Sequence, residues 1–156
     1  MMGVRGTRVQ CINNQFIDVN TLDHRIPSRG VEIWLVTRGN TCVYFRLNAS
    51  QITRLCNALD DVVHRKKTRF VLQYSDVESI EIVMHYNDTI TIRGYGQAKP
   101  DRCRLVKRAL CVSIPNAQSA IKALTSMRDY FVREHQAYLQ RLEARKRVYC
   151  RFRERK

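Results

Sequence analysis

The chain has 156 residues, with 28 Lys plus Arg against 14 Asp plus Glu and a formal net charge of +14. That length buries one sizeable core, and a charge excess of this size repels itself unless an anionic partner is met, nucleic acid first and an acidic membrane surface second. No apolar run reaches the length of a spanning helix and the opening MMGVRGTRVQ lacks a signal-peptide core, so the expectation is an intracellular protein with no membrane partner, nuclear if eukaryotic or viral.

Four strands come first in chain order: Thr7 to Ile12, Gln15 to Val19, Val31 to Thr37 and Thr41 to Leu47. Asn13 and Asn14 close the first hairpin and Arg38-Gly39-Asn40 the third, because Asn and Gly tolerate positive φ. LNASQITRLCNALDDVVHR, from Leu47, then reads as an amphipathic helix. Asn48 caps it with Gln51 three residues on, and Ile52, Leu55, Cys56, Leu59, Val62 and Val63 form its apolar stripe. Four further strands follow in RFVLQY, ESIEIVMHY, TITIRGY and the run CRLVKRALCVSI. Asn87 and Asp88 mark a hairpin turn, and GYGQAKPD from Gly94 reads as a loop. A second helix begins near Pro115 and Asn116, with Ile121, Leu124, Met127 and Phe131 as its stripe.

The two helices look like one segment written twice. Laying Asn48 on Asn116 brings Ala49 to Ala117, Arg54 to Lys122, Asp61 to Asp129 and Arg65 to Arg133. The expected fold class is therefore α+β: two ββββα repeats forming a pseudo-twofold domain of curved antiparallel sheets with packed helices. The first repeat is residues 1–67, the second is residues 68–140 sharing one core with it, and residues 141–156 form a basic C-terminal helical extension or tail. The element order and the strand-to-helix junctions FRLNASQ and SIPNAQS resemble the single-stranded nucleic-acid binders that include the PUR-repeat proteins, the plant Whirly proteins and the positive-cofactor type of coactivator. The resemblance covers Thr7 to about Leu142, lies in topology alone, and implies paired four-stranded sheets that bind single strands.

Alternation selects a binding face independently. Val31, Ile33 and Leu35 point inward, as do Val43, Phe45 and Leu47, which leaves Trp34, Tyr44 and Arg46 together on the other face with Arg38 at the turn. Arg69, Arg93 and Tyr95 point outward in the second half, and Arg102, Arg104 and either Lys107 or Arg108 add charge near the last strand. Rings among guanidinium groups suit unpaired bases and phosphates. The plainer reading makes Trp34 and Tyr44 a cross-strand aromatic pair or an interface. Arg145, Lys146 and Arg147 lie in the C-terminal run from Arg141 to Lys156, where eight cations meet two anions. It reads as a phosphate grip, a solvated tail or a localisation signal, and Leu142, Val148, Tyr149 and Phe152 within it suit docking on a partner helix.

The six cysteines and four histidines have no close metal-ligand spacing, so no metal and no cofactor are expected. Asp76, Glu78 and Glu81, and Asp60 with Asp61, are carboxylate groupings that a metal-dependent nuclease could use, but such groups usually decorate loop ends and solvated helix faces. No phosphate-cradling Gly loop or hydrolase motif is present. The expectation is no enzyme but a binder of single-stranded DNA or RNA, a possible homodimer, acting in replication, transcription or RNA handling; the alternative is a protein-protein adaptor or assembly factor with a basic surface for an acidic partner.

Overall fold

The structure, a computed structural model, describes residues 6–21, 30–37, 42–99 and 104–154. Arg38 and Arg102, both selected from the sequence, lie outside these residues. Four strands, β1 (Gly6–Gln10), β2 (Phe16–Thr21), β3 (Val31–Val36) and β4 (Cys42–Leu47), lead into helix α1 (Ala49–Val63). Strands β5 (Arg69–Ser75), β6 (Glu78–Met84), β7 (Thr89–Lys99) and β8 (Leu105–Ser113) then lead into helix α2 (Ile114–Glu154).

Local chemistry accounts for most boundaries. Asn13 and Asn14 both take φ of 60° between β1 and β2, and Asp88 takes 62° between β6 and β7, the left-handed conformations that short polar side chains tolerate best. Asn48 and Gln51 form a reciprocal capping box, with both bonds at 2.9 Å. At the other end of α1, Arg65 N–H donates to Val62 and Lys66 N–H to Asp61, a Schellman closure that holds Arg65 at φ 57°. For α2 the capping oxygen belongs to Ser113, which accepts from Asn116 N–H at 3.1 Å, so the cap lies three residues before the Asn expected to mark the start.

All eight strands are antiparallel and form one sheet. Each half is a meander, and the halves are joined because β4 pairs with the end of β7, Cys42 opposite Lys99 and Tyr44 opposite Gln97. The stretch from Gly94 to Lys99 is therefore strand, not the expected loop. Its glycines have a packing cause. A Cβ at Gly94 would stand 2.8 Å from Leu35 Cδ1 and from Val43 Cγ1, and one at Gly96 would stand 3.0 Å from Phe45 Cε1. The sheet coils until the inner side chains of β3 and β4 press on the β7 backbone, which leaves room only for hydrogen at these positions.

Both helices cover the inner face. Helix α1 packs on β4, β5 and β6; α2 packs on β1, β2, β3, β7, β8 and α1. The expected α1 stripe is buried in full, and Leu124, Met127 and Phe131 of the α2 stripe are buried beside Ala117, Ala120 and Ala123, with Ile121 half-buried. One cluster of buried side chains draws on both halves.

Burial pushes the Cys11 thiol up to about 11 and raises Cys56 and the Tyr74 hydroxyl in the same direction. An acid with a raised folded pKa keeps its proton longer in the folded than in the unfolded state, so folding is favoured while it stays protonated. Stability is expected to be undiminished by these groups below the ordinary thiol value of 9.0 and to fall as pH rises through about 11. Urea melts from about pH 7 upward check this, and a midpoint that holds steady across that window would contradict it.

Candidate nucleic-acid interface

Pairing places the two outward faces selected from alternation on one continuous surface. A lateral row crosses the sheet: Arg8 opposite Asp18, Asp18 opposite Trp34, Trp34 opposite Tyr44, Tyr44 opposite Gln97, and Gln97 opposite Leu105. Directly opposed residues of an antiparallel pair share a face. One step along β7, Tyr95 lies opposite both Ser79 and Lys107, and Arg93 opposite Glu81 and Ala109.

The first-half portion of this face is tied internally. The Trp34 and Tyr44 rings sit 6.4 Å apart with a tilt of 46°. Trp34 Nε1–H donates to Glu32, Arg46 Nε donates to the same carboxylate at 3.2 Å, and Tyr44 O–H donates to Gln97 Oε1 at 2.6 Å. Glu32 is only 6% and Tyr44 only 4% exposed, while Trp34 and Arg46 are half-buried. Tyr44 thus faces the expected way but is closed to a base, and Arg46 has a buried counter-ion that alternation could not reveal.

The second-half portion is open. Tyr95 is 37% exposed and lies on the same face as the exposed apolar residues Val71 and Leu105. Arg69 Nη2 and Arg93 Nη1 meet Glu81 at 2.6 Å and 3.0 Å, so two guanidinium groups share one carboxylate and the trio keeps a net positive charge. Lys107 is exposed beside Tyr95, which answers the open register of β8: Arg108 stands opposite Gly94 on the inner side, half-buried, its Nε without a hydrogen-bond partner. Arg104 is exposed just before β8, where its carbonyl accepts from Ala98 N–H at 2.9 Å. Arg145, Lys146 and Arg147 are exposed on the last turns of α2, and Arg147 faces Glu143 one turn earlier at 3.8 Å.

Glu32 and Gln97 organise the closed portion but are not among the site residues selected from the sequence. Glu32 shares a face with Trp34 by simple alternation, a signal present in the sequence, whereas the loop-like composition of GYGQAKPD hides Gln97. Among the described residues no group of three His, Cys, Asp or Glu side chains is placed to hold a metal ion. Among the described residues no helix is long and apolar enough to cross a membrane. No protein-family model matches the chain, and a search of curated proteins finds no similar one.

Proposed function

We propose that the protein binds single-stranded DNA or RNA across the open part of this face, largely without sequence preference, and serves replication, transcription or RNA handling within the cell, in the nucleus if its source is eukaryotic or viral. It acts as a binder and not as an enzyme. The observation that carries the reading is an exposed Tyr95 ring set between Arg93 on its own strand and Lys107 on the next. Unpaired bases stack on such a ring at about 1–3 kcal/mol each while the cations hold phosphates, and duplex DNA hides the faces that would stack. Trp34 provides a second, half-buried platform, and Tyr44 packs beside it on the neighbouring strand. The order of four strands and a helix, twice, supports two ββββα repeats related by a pseudo-twofold and the likeness to PUR-repeat and Whirly proteins.

Titration of single-stranded DNA, single-stranded RNA and duplex at two salt concentrations tests the reading. Tyr95→Ala is expected to cost about 1–3 kcal/mol of single-strand affinity with little change in salt dependence, since no cation is lost. Lys107→Ala is expected to flatten the slope of log affinity on log salt by about 0.7, one phosphate's worth on a single strand. A folded Tyr95→Ala protein with wild-type affinity would remove the open face as the site. The second reading, an adaptor for an acidic partner, is favoured by an apolar stripe at the end of α2.

A further inference from the structure

Helix α2 has 41 residues, about 60 Å of helix, and its last buried side chain is Phe131. Roughly 35 Å of helix therefore runs on past the core, and the apolar stripe runs on with it. Tyr138, Leu142, Tyr149 and Phe152 continue the Leu124–Phe131 face at steps of three, four and seven. Beyond the core this face opens to solvent, with Val148 at 66%, Tyr149 at 64% and Phe152 at 66% exposed.

Two details identify what covers it. Arg145, Val148, Tyr149 and Phe152 stand at i, i+3, i+4 and i+7 and, with Ala144, line a groove of about 460 Å³. Four residues in that spacing are the hole into which a facing helix inserts one side chain. Written as a heptad, Leu142 and Tyr149 occupy a, Tyr138, Arg145 and Phe152 occupy d, e holds Leu139, Lys146 and Arg153, and g holds Arg141 and Val148. A parallel second copy of this helix would set Arg141 against Lys146 on each flank and Arg145 against itself. A helix with an apolar seam, Glu or Asp on its flanks and a carboxylate opposite Arg145 meets every one of these groups.

We infer that the end of α2 is a docking helix for an acidic amphipathic helix of another protein. This does not rest on the single-strand reading, because the seam and the sheet face share no residue. Lys146 and Arg153 then serve partner choice rather than strand grip, while Arg147, at f, faces away from the seam.

The test uses the full chain and two labelled synthetic helices of equal negative charge, one with leucine and one with serine at the seam, followed by anisotropy. The leucine helix is expected to bind about tenfold or more tighter, and Tyr149→Ser with Phe152→Ser is expected to abolish that preference while leaving oligonucleotide affinity and the thermal melt unchanged. Equal binding of the two helices, or a preference that survives the double substitution, overturns the inference. So does sedimentation in which the wild type self-associates and the double variant does not, since the occupant is then a second copy. Loss of oligonucleotide affinity in the double variant reassigns the rings to base stacking, and loss of flotation with vesicles containing phosphatidylserine reassigns them to lipid; each of these outcomes also overturns it.

Discussion

Arg46→Ala is expected to destabilise the protein by about 3 kcal/mol, read as a lower midpoint at unchanged slope in guanidinium melts. Its partner Glu32 has a side chain only 8% exposed, whereas Arg46 itself is 29% exposed. Removing the cation leaves in the interior a carboxylate to which the Trp34 Nε1–H still donates. Breaking a buried pair from one side typically costs about 3–5 kcal/mol, and the partial exposure of Arg46 sets the expectation at the low end. Glu32→Gln in the Arg46→Ala background is expected to recover part of the loss, because it removes the stranded charge. A cost below about 1 kcal/mol would mean that water reaches Glu32 and that the cluster does not hold this part of the sheet. The result also governs how binding data are read: weaker oligonucleotide binding by Arg46→Ala reports a disturbed scaffold, whereas weaker binding by Lys107→Ala reports a lost phosphate contact.

Gly94→Val is expected to cost about 3 kcal/mol or more, at the upper end of overpacking effects. The first added carbon already falls 2.8 Å from Leu35 Cδ1 and Val43 Cγ1 and 2.9 Å from Phe45 Cε2. The Phe45 ring, 1% exposed, has no room to retreat, because Gly96 and Tyr74 bound it on other sides. Gly94→Ala with Phe45→Leu is expected to lose less than the sum of the two single changes, since the second vacates the space the first needs. Strict additivity would place the strain elsewhere.

What was readable from the chain and what was not divides along the range of the interaction. The capping box of Asn48 and Gln51, the left-handed asparagines of the first turn, and the inward positions of Ile33, Leu35, Val43 and Phe45 depend on near neighbours, and all are legible. Gly94 and Gly96 read as loop because glycine disfavours strands in isolation; their cause is a side chain from fifty residues earlier. The same holds for the outward face. Alternation aims Tyr44 outward correctly, but its bond to Gln97 needs the β4–β7 pairing, which no local pattern announces. The facing of Lys107 against Arg108 likewise waited for the β7 register, since either residue suits an exposed strand position taken alone.

The junction of β4 with β7 has a consequence for how the chain is made. Until the ribosome has delivered residues through Lys99, the inner side chains Leu35, Val43 and Phe45 have no glycine backbone to close on, and the β4 edge has no neighbour. Roughly fifty residues separate Leu47 from Lys99, a wait of about 3–10 s at ordinary elongation rates. During that interval the nascent first half presents an open strand edge beside apolar side chains, the combination that recruits chaperones or other nascent chains. Slowing codons placed between β4 and β7 are expected to lower soluble yield, while the same codons after β8 leave it unchanged.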